Sequence, residues 1–470
     1  MKRVLPLLAI MAAVVAASRA DSAEEKPHPN VVVFLVDDLG WKDLSCQGST
    51  YYRTPNIDRL AENGVRFTNA YAACAVCSPT RASLLTGKYP ARLLLTQWLP
   101  AGRWDPDKHR MKEARFLRSL PLEEFTLAEV LRGHGYRTWH VGKWHLGGAP
   151  FSLPEHHGFD VNVAGSDHGA PGSYFYPYRG NWEIPTTGQV VHKQTLPDGE
   201  EGEYLTDRLT EEAALLIESA DEDPFLLYFP YYAVHTPLQA KEEVKARYEA
   251  IPKEERQGNP AYAAMVEAVD DSVGRILSLL EESGRRENTV IVFTSDNGGF
   301  ASATDNSPLR ANKGSHYEGG IRVPLIVSGP GVRTGVVSEE LAISSDLFPT
   351  VLGLAGLPRE EQQHLDGVDL SGHLREGTEP GREALFWHYP HYNRHPHSAP
   401  VSIVREGNWK LIEFLEEDRI ELYDLDADPG ETEDLHESQP ALSSTLLKRL
   451  RSWKNDVGAD PMAPNPRAAR

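Results

Sequence analysis

The stretch NVVVFLVDD, residues 30–38, decides the architecture. A short continuous apolar run rich in β-branched residues suits a strand buried on both faces of a parallel sheet; a strand with one wet face would alternate. Similar runs recur in RTWHVGK (137–143), PFLLYFPYYAVH (224–235), NTVIVFTSDN (288–297) and VPLIVSG (323–329). Helix-like stretches lie between them: TPNIDRLAENG (54–64), TLAEVLRGHG (126–135) and YAAMVEAVDDSVGRILSLLEESG (262–284). The last two stop at glycine, a normal helix end. Strands alternating with helices predict an α/β fold with a mostly parallel central sheet flanked by helices.

Four of the runs end in polar, chemically useful residues. These are Asp37-Asp38, Lys143 with His145 just beyond, His235, and Asp296-Asn297. In open α/β sheets, sites form at the carboxyl ends of the strands, so these ends are expected to share one site. After about residue 370 the texture changes. The stretches 384–392, 400–414 and 420–431 read as short strands with turns, and 441–457 reads as a helix. This predicts a catalytic α/β domain over 27–370 and a smaller antiparallel α+β unit over 371–462.

The first 20 residues combine basic Lys2 and Arg3, an apolar run from Val4 to Ala17, and small Ser18 and Ala20, the layout of a cleaved secretory signal. No later segment approaches the roughly 20 apolar residues a bilayer crossing needs. The mature chain is therefore expected to start near Asp21, to be exported to the periplasm or secreted, and to have no membrane contact after cleavage. With 48 Lys+Arg against 68 Asp+Glu the net charge is −20, which argues against nucleic-acid binding. An anionic substrate must be caught by a local basic pocket. The 3 cysteines are too few for a disulfide scaffold, although Cys46 and Cys74 could pair if Cys77 has another use.

Asp37, Asp38, Asp296 and Asn297 are hard oxygen ligands that favour Ca²⁺ or Mg²⁺ over zinc. Lys143 and His145 stand two apart, hence on one face if extended, and pair a compact positive charge with a proton carrier. His235 in AVHTP and Lys313 in ANKGSHYEGG repeat that pairing.

CSPTRASLLTG, residues 77–87, resembles the first signature of the type I (formylglycine-dependent) sulfatases: Cys-x-Pro-Ser-Arg, then Leu-Thr-Gly. GYRTWHVGKWHLG (135–147) resembles the second, and VDDLG, HTP, SDNGG and NKGSHYEGGIRVP follow in the family's order from about residue 29 to about 460. The resemblance implies an alkaline-phosphatase-like fold and hydrolysis of a sulfate monoester. It also implies that a formylglycine-generating maturation enzyme converts Cys77 to Cα-formylglycine (3-oxoalanine). A thiolate attacking sulfur would leave a stable ester, whereas a hydrated aldehyde offers one hydroxyl to attack and a second to expel sulfate. Thr80 replaces the commoner serine and keeps its hydroxyl. By the same resemblance Asp37, Asp38, Asp296 and Asn297, together with the modified Cys77, hold Ca²⁺, with Mg²⁺ the second choice. Arg81 holds the hydrate. Lys143 and Lys313 clamp sulfate oxygens, His235 protonates the leaving oxygen, and His145 takes the proton during elimination.

Substrate choice is expected in three less regular stretches: 95–121, which is basic and carries two tryptophans; the Gly/Pro/aromatic 165–185; and the histidine-rich 388–400. The histidines could form a zinc site, a solvated loop, or a rim that holds a sugar. HYPHY resembles a segment of bacterial sulfatases acting on galactose or N-acetylgalactosamine sulfates. His388 and His391 are therefore expected to contact a sulfated carbohydrate substrate. The alternatives are a phosphomonoester, phosphodiester or phosphonate hydrolase of the same superfamily, and a non-catalytic sugar-binding relative. The first would commonly carry further metal-ligating Asp and His, and the second would lack Cys77, Lys143 or His235.

Overall fold

A computed structural model of the chain describes residues 28–99, 103–179, 196, 198–358 and 365–468. The leader expected at 1–20 lies outside them. No helix among the described residues is long and apolar enough to cross a membrane.

Eight strands form the main sheet: β1 (Asn30–Val36), β2 (Val65–Tyr71), β3 (Arg137–Val141), β4 (Val161–Val163), β5 (Phe225–Pro230), β6 (Thr289–Ser295), β7 (Leu325–Ser328) and β8 (Val336–Ile343). Their order is β4-β3-β5-β1-β6-β7-β2-β8. All neighbours run parallel except that β7 opposes both β6 and β2. β7 is reversed because the chain from β6 returns to it with only a one-turn helix, Glu318–Ile321, and no crossover to the opposite edge.

Helices α1 (Pro55–Glu62), α2 (Cys77–Thr86), α3 (Leu127–Gly133), α4 (Leu205–Glu218), α5 (Pro260–Glu282) and α6 (Leu347–Ala355) cover the sheet. In β1 the two-residue alternation puts Val32, Phe34 and Val36 against α1, α4 and α5, and Val31, Val33 and Leu35 against α2, α3 and α6. Burying each such side chain stabilises by about 1.5–3 kcal/mol, more than the roughly 1 kcal/mol range of strand propensities. Burial on both faces therefore fixes these strands.

The second sheet is an antiparallel meander of β9 (Leu385–Tyr389), β10 (Val401–Glu406), β11 (Trp409–Phe414) and β12 (Arg419–Asp424). The run 400–414 folds on itself at Gly407-Asn408, where Gly407 has φ 54°. One face of this sheet, with Trp387, Ile403 and Phe414, packs on Tyr71 and residues 73–76. The other, with Val404, Leu411 and Leu422, packs on Leu446 and Leu450 of α7 (Pro440–Asp456). The first contact matters for function, because residue 76 leads directly into Cys77.

A buried ion cluster ties the sheets together. Lys410 Nζ lies 3.0 Å from Glu318 Oε1 and 2.8 Å from Glu431 Oε1, with all three side chains fully buried. Tyr71 donates to Glu318 Oε2 at 2.6 Å, and the Glu318 amide donates to Glu431 Oε2 at 2.6 Å. Burial, only partly offset by Lys410, pushes the Glu431 carboxyl up to about 7. Lys410→Met leaves Glu431 without its cation and Glu318 with only Arg322 Nη1 at 3.7 Å, and should cost about 3–5 kcal/mol in urea unfolding; a loss under about 1 kcal/mol, as for a solvated pair, would contradict the closed cluster. Because Glu431 titrates above its ordinary 4.5 in the folded chain, its contribution is full below that pH and is lost as pH rises through about 7. Glu431→Gln should flatten that part of the stability curve.

Candidate active site

The carboxyl ends of β1, β3, β5 and β6 converge, and the N-terminus of α2 meets them. Asp37 and Asp38 leave β1, and Asp296 and Asn297 leave β6, the adjacent strand. Asp38 and His145 take left-handed backbone, φ 64° and 60°, a conformation Asp and His tolerate better than most residues. Lys143 follows Gly142, whose φ is 123° and where a Cβ would lie 2.0 Å from the Pro230 carbonyl oxygen. Only glycine lets the end of β3 approach β5 closely enough for the Lys143 amide to donate to Pro230 O at 2.7 Å.

Cys77 is the first residue of α2, and Arg81 lies one turn on. The Thr80 hydroxyl accepts from the Cys74 amide and donates to the Cys74 carbonyl, both at 3.1 Å, closing the turn before Cys77. Cys77 Sγ is 3.7 Å from both Asp37 Oδ1 and Lys313 Nζ. Lys143 Nζ donates to Asp37 Oδ2 at 2.5 Å. Lys313 Nζ is 2.7 Å from Asp38 Oδ1, and Asn297 Nδ2 donates to the same oxygen at 2.8 Å. Arg81 places Nη2 2.8 Å from Asp296 Oδ2 and donates from Nη1 to Lys143 O at 2.9 Å. His235 Nε2 is 3.7 Å from Asp38 Oδ2. His145 Nε2 meets the Leu99 carbonyl, while its Nδ1 is buried with no hydrogen-bond partner. The structure thus brings together Cys77, Arg81, Lys143, His145, His235, Lys313, Asp37, Asp38, Asp296 and Asn297.

Burial and neighbouring charge set the protonation states. Burial, then repulsion from Asp296, pushes the Asp37 carboxyl up to about 8. Burial acts the same way on Asp38, but Lys313 and His235 overcome it and hold that carboxyl well below the usual range. Burial raises the Cys77 thiol to about 12 despite Lys143 and Lys313. Burial and Lys313 bring His235 down to about 3, and burial with Lys143 keeps His145 neutral.

These groups open into a cavity of about 620 Å³. Each of the three irregular stretches supplies a wall: Trp98 and Arg103 from the first, Asp167 and His168 from the second, and His395 from the third. Residues 180–185 of the second stretch lie outside the described residues. His388 and His391 do not reach the cavity, which corrects the expectation for them. His388 bonds Ser402 Oγ at 2.8 Å and the Asp460 carbonyl at 3.1 Å. His391 bonds Thr96 Oγ1 at 2.7 Å and lies 3.4 Å from Glu113. Both rings are buried in the packing of β9 and the turn after it, so they stabilise that turn instead. His395, four residues on, was concealed in the same cluster. Arg103 and Trp98 carried no signal beyond a basic, tryptophan-bearing stretch.

The histidines form no zinc site. Among the described residues the one grouping of metal-binding His, Cys, Asp and Glu is Asp37, Asp38, Cys77 and His235, with donor atoms within 4.8 Å of one another. The 3 cysteines are all free, so Cys46 and Cys74 do not pair.

A mostly parallel sheet carrying an acidic cluster, a helix-start cysteine and a ring of buried cations at its strand ends defines a hydrolase of anionic esters. The chain belongs to the sulfatase family: the family model described as Sulfatase matches residues 29–357, and that of N-sulphoglucosamine sulphohydrolase, C-terminal, matches 311–456. It is accordingly a sulfuric ester hydrolase. A sulfatase of Formosa agariphila is 31% identical over 96% of this chain and 93% of that protein. The N-acetylgalactosamine-6-sulfatase of Mus musculus is 35% identical over 76% of this chain and 68% of its own length. The crystal structure of Ps i-CgsB superposes with a TM-score of 0.77 at 32% identity, covering 91% of this chain and 92% of that one.

The sulfatase family uses a divalent metal, and the residues here fit one. Three carboxylates converge, and Asn297 Oδ1 is a buried acceptor with no hydrogen-bond partner, a hard-oxygen set of the kind Ca²⁺ and Mg²⁺ take. Because Asp37 titrates near 8, metal binding at pH 7 should release about one proton as well as raise Tm. Calorimetry in two buffers of different ionisation enthalpy reads this; no proton release would place Asp37 outside the ligand set.

Proposed function

We propose that this sulfatase removes an O-sulfate from a galactose- or N-acetylgalactosamine-type sugar of a sulfated oligosaccharide or polysaccharide, after export to the periplasm or beyond. We assign residues 27–370 to the catalytic unit and 371–462 to a smaller C-terminal unit. The observation that carries the reading is the setting of Cys77, at the start of a buried helix and 3.7 Å from both Asp37 and Lys313. With its thiol pushed up to about 12, the unmodified side chain is a poor nucleophile at neutral pH, which favours conversion to formylglycine by a maturation enzyme. The relatives acting on N-acetylgalactosamine sulfate, and a cavity in which the Trp98 and Phe300 rings stand beside Arg103, His168 and His395, support a sugar substrate.

Bound by Asp37, Asp38, Asp296 and Asn297, Ca²⁺ would supply Lewis-acid polarisation of a sulfate oxygen, and formylglycine at 77 would supply the attacking hydroxyl. Ca²⁺ is preferred to Mg²⁺ because a crowded set of carboxylates suits its larger, more flexible shell. Arg81 holds the modified side chain and balances Asp296. Lys143 and Lys313 swing from their carboxylates to the sulfate oxygens, where negative charge develops. His235 holds its Nδ1 on the Thr236 carbonyl at 2.8 Å, so Nε2 is the atom that faces the ester. An anionic ester beside that ring opposes the effect of Lys313, and the imidazole gains the proton that it passes to the leaving oxygen. His145, buried and neutral, accepts a proton during sulfate release.

Cys77→Ala should abolish turnover with Tm within a few degrees of wild type, and Cys77→Ser should block thiol-specific maturation. Mass spectrometry of active enzyme should show the aldehyde at residue 77; an intact thiol in fully active material would refute the assignment. Lys313→Ala should lower kcat by about 10²–10³, the usual cost of one transition-state donor. Turnover of defined sulfated galactosides, with matched phosphate esters as the control, decides the substrate class. Preference for the phosphate series would overturn the reading.

A further inference from the structure

The reacting sulfate is accounted for by Lys143, Lys313 and the metal ligands, yet the cavity carries more positive charge than one sulfate needs. Arg103 lines it half-buried, with Cζ 4.9 Å from the centroid of the Trp98 ring. Burial, then the neighbouring Arg394, pushes the Arg103 guanidinium below its ordinary value, and no carboxylate offsets them. Among the described residues neither arginine makes an ion pair with an acid. Arg394 is exposed and sits on a turn docked against the catalytic segment. Asn393 Nδ2 donates to the Gly314 carbonyl at 2.9 Å, and Asn393 Oδ1 accepts from the His395 amide at 2.8 Å. His395 in turn packs edge-on against Phe300, with ring centroids 5.8 Å apart. Among the described residues the one carboxylate in the cavity wall besides Asp38 is Asp167, which pairs with His168 Nδ1 at 3.2 Å.

Two neighbouring guanidinium groups without a counter-charge repel each other, and in a chain of net charge −20 an acid could readily have stood beside them. Their fork geometry suits a planar carboxylate or a sulfate better than an ammonium would. Trp98 and Phe300 add apolar ring surface suited to the face of a sugar.

We propose that Arg103, backed by Arg394, binds a second anionic group of the substrate, a sulfate or a carboxylate on the saccharide beside the scissile sulfate. The enzyme thereby selects multiply charged oligosaccharides over singly sulfated ones. The proposal rests on the sulfatase reading above.

The test measures kcat/KM of the mature enzyme on one monosulfated disaccharide, on the same disaccharide with a second sulfate, and on its uronate-bearing counterpart. A simple aryl sulfate serves as a reference. Wild type should favour at least one dianionic substrate over the monosulfated one by about tenfold or more, expressed mainly in KM. The preference should shrink as salt is raised. Arg103→Gln should lower that ratio at least about tenfold, Arg103→Lys should retain part of it, and Arg394→Gln should lower it about two- to fivefold. Arg103→Glu should bring it below one. Whichever dianion is preferred identifies the group as sulfate or carboxylate. Equal turnover of all three saccharides by wild type, or an unchanged ratio in both Arg103→Gln and Arg103→Glu, overturns the proposal while leaving the sulfatase reading intact. Failure of wild type on the aryl sulfate and every saccharide overturns both.

Discussion

Charge compensation inside the protein is the constraint on which this structure depends. Asp37, Asp38 and Asp296 are each essentially excluded from water, and an isolated buried carboxylate costs several kcal/mol. Arg81, Lys143 and Lys313, equally buried, stand against them. Once Asp37 gives up its proton, as metal binding would require, the three negative and three positive groups are formally neutral. A divalent ion then gives the site a net charge near +2. That excess lets a chain of net charge −20 take up an anion, because beyond the roughly 8–10 Å Debye length the acidic surface is screened while the site is not.

The fold supplies this arrangement through the polarity switch at the strand ends. β1 and β6 are buried along their whole length. Their side chains are apolar from Val31 to Val36 and from Val290 to Phe293, and β6 closes on Thr294 and Ser295, whose hydroxyls donate to the Pro324 and Val36 carbonyls. The next residues on both strands are the candidate metal ligands, held by the rigidity of a parallel pair in register from Asn30 with Thr289 to Val36 with Ser295. Lys313 arrives differently, on a loop that crosses the chain after β6. The crossing requires glycine at 298, since a Cβ there would lie 2.0 Å from the Gly319 carbonyl oxygen, and the Gly298 amide donates to the Gly320 carbonyl at 2.9 Å. Gly319 and Gly320 are required by their own loop, where a Cβ would lie 2.3 Å from the Ala311 and 1.8 Å from the Ser315 carbonyl oxygen, respectively. The SDNGG and EGGIRVP motifs are thus two halves of one backbone contact.

The elements buried on both faces were legible in the sequence because continuous apolar runs leave few alternatives; β1, β3, β5, β6 and β7 and helices α1 and α3 fall within the expected runs, and α5 starts two residues before its own, at Pro260. The convergence of Asp37, Asp38, Lys143, His145, His235, Asp296 and Asn297 was legible because polar residues closing such runs have one place to meet. The direction of β7 was not, since four residues carry no orientation signal. β2 and β8 escaped notice too: VRFTNAY and VVSEELAI are half-exposed and read as neither continuous nor cleanly alternating. The histidine cluster shows the limit most sharply. His388 sits on a strand and His391 just beyond it, both turned inward, while His395 follows after a turn that no periodicity describes. Composition alone placed the cluster near the site but could not choose among its members.

The C-terminal sheet packs directly behind the candidate site. Its inner face supports the 73–76 segment that presents Cys77, and its buried Lys410 pairs with Glu318, five residues beyond Lys313. The two family models overlap over the same region, one ending at 357 and the other starting at 311. The segment from Lys313 to Glu318 is therefore packed from both sides, by β6 through the glycine crossing and by β11 through Lys410. A buried cation holding two acids is seldom retained for stability alone, because an apolar replacement of the whole set can be as stable. What it provides here is registry: it fixes where the loop carrying Lys313 lies relative to the strand ends carrying Asp38 and Asn297. On the mechanism proposed above, Lys313 moves between a carboxylate 2.7 Å away and a sulfate oxygen, and such a lysine tolerates little slack in its backbone.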